Sequence, residues 1–243
     1  MSVNIDFYNK NFDKLTEQYN SLDFQDVHKN ILEHLPKNGS ILDVGCGSGR
    51  DAFGLAKMGY DVTAVDPALN MLIKAQENFQ HDNITWVNDS MPALDKVKSM
   101  NKKFDFILLS AVWMHIEPED RKEAFKSLQS LLNKDAQMII SLRFGDFHDG
   151  RKAIPVSQDE IQSFSDELNI QSQSLLENDA DQLNRGDVSW QIMRFQNTPK
   201  IKPKSYDIKK LFCAFQNKKE RQWIISRNQA IFLLLYTCGL RVS

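Results

Sequence analysis

The feature that most constrains this chain is a run of glycines set between a strand and a helix. Ser40–Val44 is short and apolar, Gly45-Cys46-Gly47-Ser48-Gly49 follows at once, and helical spacing begins at Arg50. Glycines permit a tight turn with positive φ and leave bare main chain that another molecule can approach closely. A helix starting at about Arg50 points its free N–H groups at the same place. The rest of the sequence repeats this alternation. Strands are expected at Tyr60–Asp66, Ile84–Val87, Phe104–Ser110, Gln137–Leu142, Ile170–Leu176 and Val188–Phe195. Helices are expected at Arg50–Met58, Pro67–Phe79, Glu117–Leu132 and Gln158–Leu168, the third carrying Ala124, Phe125, Leu128, Leu131 and Leu132 on one face. Near-continuous apolar strands alternating with helices predict an α/β fold, a mostly parallel, doubly wound sheet covered on both faces. Right-handed crossovers then bring every strand-to-helix loop to one edge, where ligands bind.

The residues at that edge suggest a type of ligand. The glycine spacing is GxGxG; the dinucleotide fingerprint GxGxxG would need glycine at position 50, which is Arg50. The phosphate loop GxxxxGK followed by Ser or Thr is absent. The second strand ends at Asp66, where a carboxylate can accept bonds from both ribose hydroxyls of an adenosine group. The third ends at Asn88-Asp89-Ser90, where a carboxylate can accept from an exocyclic amine. The strand-end series Asp43, Asp66, Asp89, taken with the glycines, points to an adenosyl ligand. Cys46 reads as a small loop filler.

Charge divides the chain. Residues 198–243 hold 10 Lys or Arg against 2 Asp or Glu, which leaves 20 basic and 30 acidic residues in 1–197. An acidic body is a poor match for sequence-independent nucleic-acid binding, which places Lys and Arg at phosphates. The shift marks a boundary near Asn197, where Thr198-Pro199 and Lys202-Pro203 would interrupt regular structure. Residues 1–197 are expected to form one domain and 198–243 a short, basic, helical appendage. Cys46, Cys213 and Cys238 are odd in number and form no CxxC pair, so neither a disulfide framework nor a structural metal site is expected. No secretory leader and no apolar run of about 18 residues is present, and the chain reads as cytoplasmic with no membrane partner.

These motifs resemble the class I S-adenosylmethionine-dependent methyltransferases. ILDVGCGSGRD (41–51) is similar to that superfamily's first motif, YDVTAVDPALNML (60–72) to its second, FDFILLSAVWMHI (104–116) to its strand-four motif and AQMIISLRFG (136–145) to strand five. The likeness spans residues 7–195 and implies a Rossmann-like domain, S-adenosyl-L-methionine as cofactor and methylation of an acceptor, here taken to be a small molecule. LLSAVWMHIEPEDR and VSWQIMRFQ resemble a bacterial group of small methyltransferases without a known substrate. By the resemblance, Asp43, Gly45, Gly47 and Gly49 hold the methionine end, Asp66 the ribose, and Asp89, Ser90 and Met91 the adenine. Ser110 and Ala111 lie beneath the sulfonium side, and Tyr8 and Tyr19 form a lid. His115, just after strand four, is the candidate general base, with an ordinary pKa near ~6.5; packing at a helix entry is its alternative. Arg143 is a candidate grip on an acidic acceptor, with pairing to a structural carboxylate as its alternative; Trp113 is a candidate pocket wall, with core packing the default for an aromatic there; and 178–189, rich in Asp and Asn, is a candidate cover. A nucleic-acid amino-methyltransferase would need an Asn/Asp-Pro-Pro-aromatic loop where this chain has SAVWMH. A binding module without catalysis stays open.

Residues from about 200 onward depart from this pattern. SYDIKKLFCAF and RNQAIFLLLYTCGLRVS resemble the start of the catalytic domain of Xer-type tyrosine recombinases (phage integrases), and the resemblance maps a phosphate-contacting arginine to Arg241. The later Lys, His-x-x-Arg and nucleophilic Tyr segments of that family do not follow. The expectation is an incomplete fragment that cannot cut DNA, with weak non-specific DNA contact through its basic charge.

Overall fold

A computed structural model describes residues 3–183 and 185–199. The recombinase-like segment, Arg241 and the DNA contact expected of it lie outside the described residues. Three short helices open the chain: α1 (Val3–Lys10), α2 (Phe12–Asn20) and α3 (Phe24–His28). Then come β1 (Ser40–Val44), α4 (Arg50–Lys57), β2 (Asp61–Val65), α5 (Leu69–Asn78), β3 (Ile84–Val87), α6 (Asp95–Ser99), β4 (Phe104–Leu109), α7 (Pro118–Leu131), β5 (Leu132–Phe144), α8 (Gln158–Glu167), β6 (Ile170–Ala180) and β7 (Ser189–Pro199). The sheet order is β3-β2-β1-β4-β5-β7-β6. Strands β3, β2, β1, β4 and β5 run parallel, and β7 pairs antiparallel with both β5 and β6. The expected doubly wound, mostly parallel sheet is present. Its direction of winding reverses between β1 and β4, which opens a crevice at their carboxyl ends.

Both faces of the sheet are apolar, as period-two alternation within buried strands requires. Leu42, Val44, Ile107 and Leu109 face one cluster, with Phe125 and Leu128 of α7; Ile41, Phe106 and Leu108 face the other, with Ala52 and Leu55 of α4. Helix α7 starts on Pro118, whose missing N–H is no loss in a first turn, with Glu119 and Asp120 at its positive end. Arg121 is buried on this helix; its Nη1 lies 2.7 Å from the Glu160 carboxylate and its Nε donates to the Ile116 carbonyl at 3.0 Å. That pair ties α7 to α8. Pro67 stands before α5 rather than in its first turn, because Ala68 takes the extended N-cap position. Among the described residues no helix is long and apolar enough to cross a membrane, and no cluster of His, Cys, Asp and Glu is arranged for a metal.

Candidate functional site

A cavity of about 550 Å³ occupies the crevice at the carboxyl ends of the parallel strands. Its first end is the glycine loop. Gly45, Gly47 and Gly49 take φ of +72°, +51° and +82°, which explains their residue type. They serve different ends. A Cβ on Gly45 would lie 2.4 Å from Val112 Cγ2, and one on Gly49 would lie 2.8 Å from both Ala75 and Trp86. A Cβ on Gly47 would meet nothing closer than 3.9 Å. Gly45 and Gly49 therefore allow packing around the loop, while Gly47 presents bare main chain to the cavity, which Gly45 and Gly47 line and Gly49 does not.

Two aspartates flank this loop. Asp66 Oδ2 accepts from the Gly47 amide at 2.9 Å, and Oδ1 accepts from the Ala68 amide at 2.8 Å. One lone pair of each oxygen is spoken for and others remain, the arrangement a vicinal diol needs. Burial pushes this carboxyl up to about 6, against the pull of the two amides. Asp43 is also buried, but it does not line the cavity. It sits beneath the loop at the start of α4, bonded to the Ala52 backbone, and its Oδ2 has no hydrogen-bond partner. Burial, then the nearby Asp51 charge, raise its pKa well above the ordinary value. The expected direct contact from Asp43 is thus replaced by support of the loop. Burial works against ionisation of Asp51 too, yet His28 at 2.9 Å and Arg50 at 2.7 Å hold it below the usual carboxylate range. Burial raises the Cys46 thiol, and Asp66 adds to the effect, so Cys46 is an inert wall residue.

Asp89, Ser90 and Met91 all line the cavity. The Asp89 carboxylate is largely engaged, accepting from the amides of Ser90 (2.8 Å), Lys96 (2.8 Å) and Val97 (3.0 Å). It caps α6. Ser110 and Ala111 line the cavity at the end of β4, and Ala111 donates its amide to Ser141 Oγ at 2.7 Å. Trp113 requires a correction. It is fully buried, packs edge-on against Phe125 at 6.4 Å and does not line the cavity. The 3-10 turn Trp113–His115 turns its indole toward α7 and leaves Val112, Met114 and His115 at the cavity wall.

The far end is built of side chains. His115 has both ring nitrogens occupied. Asn4 Nδ2 lies 3.0 Å from its Nδ1, and the Tyr8 hydroxyl lies 3.1 Å from its Nε2. Asn4 cannot be turned over, because its Oδ1 accepts from the Lys152 amide and its Nδ2 also donates to the Lys152 carbonyl, each at 2.9 Å. Nδ1 is therefore the acceptor and Nε2 carries the proton. Burial, with Arg151 and Arg143 adding repulsion, pushes His115 down to about 4. A neutral imidazole whose lone pair is already used has nothing to offer an acceptor's proton. In this arrangement His115 links Asn4 to Tyr8.

Tyr8 and Tyr19 line the cavity, and each hydroxyl accepts from Arg151 Nη1 at 3.0 Å. Burial raises the Tyr8 phenol further above its usual range, so it stays protonated. Arg151 is in turn gripped by Asp149 at 2.6 Å. Arg143 lines the cavity, and its Nη1 and Nη2 donate to the main-chain carbonyls of Gly145 and Asp146. The segment 178–189 contributes Asp179, Asp181 and Arg185 to the wall. Asp181 accepts from Arg185 and from Trp190 Nε1 at 3.0 Å; burial opposes its ionisation, but these partners bring it down to about 2. Asn4, Phe147, Arg151 and Arg185 had not been singled out from sequence. For Phe147, Arg151 and Arg185 the one signal was position, in loops that follow strands at the binding edge; Asn4, on α1, carried none.

Residues 41–135 match the methyltransferase domain family. The probable S-adenosyl-L-methionine-dependent methyltransferase TehB of Haemophilus influenzae is 26% identical over 136 residues, 55% of this chain and 46% of that one. The ubiquinone biosynthesis O-methyltransferase of Rickettsia canadensis is 35% identical over 105 residues, 43% of this chain and 38% of that one. The chain spans about half the length of the curated relatives it matches. Among solved structures, a TehB-like SAM-dependent methyltransferase from Corynebacterium glutamicum superposes with a TM-score of 0.58 at 20% identity, covering 80% of this chain and 100% of that one. Magnesium protoporphyrin IX methyltransferase from Synechocystis with bound SAH gives 0.55 at 16% identity, over 75% and 84% of the two chains. The fold is the Rossmann-like methyltransferase fold.

Proposed function

We propose that this chain binds S-adenosyl-L-methionine at the glycine-loop end of the cavity and transfers its methyl group to a small-molecule acceptor at the other. The observation that carries this reading is the pairing of Gly47 with Asp66. Bare main chain and a buried, half-satisfied carboxylate meet at the carboxyl ends of β1 and β2, in a cavity that continues well beyond them. The residues fit an adenosyl group: Asp66 has free lone pairs for the ribose diol, Gly45 and Gly47 offer close approach, and Ser90 and Met91 line the wall beyond β3. When bound, the cofactor supplies an already activated methyl group. The chain's own work is then alignment and exclusion of water. Ser110 and Ala111, just after β4, line the cavity, and Tyr8 and Tyr19 line it from α1 and α2. His115 holds Asn4 and Tyr8 in place as a neutral strut.

The test is calorimetric titration of the full chain with S-adenosylmethionine and S-adenosylhomocysteine, with Asp66→Ala beside it. Saturable binding that the variant loses is expected. A folded wild-type protein that binds neither compound would remove the reading. Formation of S-adenosylhomocysteine on addition of candidate acceptors then separates an enzyme from a binding module.

A further inference from the structure

We propose that the far end of the cavity receives the carboxylate of a small aromatic acceptor, and that Arg143 is the residue that seats it. This rests on the methyltransferase reading for its purpose but not for its chemistry. On β5, Ser141 and Arg143 alternate toward the cavity, and in register with them on β7 stand Ile192 and Trp190, which line it too. Arg143 is 4% exposed. Its terminal nitrogens reach only main-chain carbonyls, its Nε has no hydrogen-bond partner, and among the described residues no carboxylate lies within ion-pair distance of it.

Its neighbours are differently placed. Arg151 is held by Asp149, Arg185 by Asp181, and Asp187 by His148 at 2.7 Å. Asp146 meets Arg143 through its carbonyl alone. A buried guanidinium without a direct ion-pair partner is costly; burial, then Arg185 and Arg151, draw its pKa down against the pull of Asp181 and Asp187, which are themselves paired with Arg185 and His148. An incoming carboxylate would supply the direct partner, and its planar pair of oxygens suits the guanidinium fork. The walls around this cation are rings. The Phe147 ring lies 4.1 Å below the Arg143 guanidinium, with Tyr8, His115 and Trp190 also on the wall. Ring-lined wall beside one cation without a direct ion-pair partner fits an aromatic acid.

The test uses benzoate and its uncharged isostere benzamide, titrated calorimetrically into the full chain saturated with S-adenosylhomocysteine. Benzoate is expected to bind at least about tenfold more tightly than benzamide, a factor worth ~1.4 kcal/mol. Arg143→Gln should bring the two together without changing S-adenosylhomocysteine affinity, and Arg143→Lys should keep part of the preference. Equal affinities, or no binding of either, overturn the proposal. So does a preference that survives in Arg143→Gln. The wild-type comparison needs no variant and decides the matter by itself if Arg143→Gln does not fold. If S-adenosylhomocysteine fails to bind, the proposed function falls, and the same pair titrated into the free protein still judges Arg143.

Discussion

The two ends of the cavity are built by different means. The glycine-loop end draws on residues close together in sequence and works mainly through main chain: the amides of Gly47 and Ala68 orient one carboxylate, Asp66. The far end is assembled from Asn4, Tyr8, His115, Arg143, Arg151 and Asp181, which come from the whole described length and act through long polar side chains. Backbone geometry set by strand ends is hard to vary without losing the sheet. Side chains on loops can be exchanged one at a time. The fold thus keeps a constant half beside a changeable one.

The sharpest way to break that comparison is Asp66→Ala. Hydrogen bonds to a charged acceptor are worth about 1.5–3 kcal/mol each, so losing two to a ribose should weaken S-adenosylhomocysteine binding by ~100-fold or more in calorimetry. A loss below tenfold would mean that main chain alone carries the affinity. Next in size is Gly45→Ala. Its φ of +72° and a Cβ at 2.4 Å from Val112 should cost about 2–3 kcal/mol in urea unfolding. Gly47→Ala, with open space before it, should cost only the ~1 kcal/mol of backbone strain and act on ligand affinity instead. Equal unfolding midpoints for the two variants would erase the distinction between packing glycine and binding glycine.

Acid offers a third probe. Asp66 titrates at about 6 and must be ionised to accept from the ligand. Its protonated form competes with binding, so affinity should be level above pH 6 and fall by up to about tenfold per unit below it. A flat profile between pH 5 and 7, measured on folded protein, would put the charge elsewhere. His115 contributes nothing in that window, because it is already neutral above about 4. The smallest effect is expected for Tyr8→Phe. It removes one hydroxyl shared by Arg151 and His115, so S-adenosylhomocysteine affinity should change by no more than about threefold, with the change in the dissociation rate. A loss as large as that of Asp66→Ala would make the far end part of the cofactor site.

What the sequence disclosed follows the same division. The strands β1, β3 and β4, the glycine loop and Asp66 were legible because buried parallel strands and positive-φ turns restrict residue type at fixed spacing. Asp43 illustrates the limit: its position was right, but whether a strand-end carboxylate faces a ligand or caps the next helix depends on one rotamer. Asp89 is similar, since its acceptors are shared with α6. Trp113 and His115 are two residues apart, and a single 3-10 turn sends one to the core and the other to the cavity. The contacts of Arg151 with Tyr8 and Tyr19 could not be read at all, because each joins residues more than a hundred positions apart.

Asn4 fastens α1 to the loop after β5 by pairing with both the N–H and the C=O of Lys152, as a neighbouring strand would. A carboxylate of the same shape, as in Asn4→Asp, lacks the hydrogens of the amide. It would offer oxygen where Lys152 O and His115 Nδ1 each now receive hydrogen, and two attractions would become repulsions. The hold of the N-terminal helix on the cavity mouth thus hangs on the two unlike faces of one side chain, far from the sheet that carries the rest.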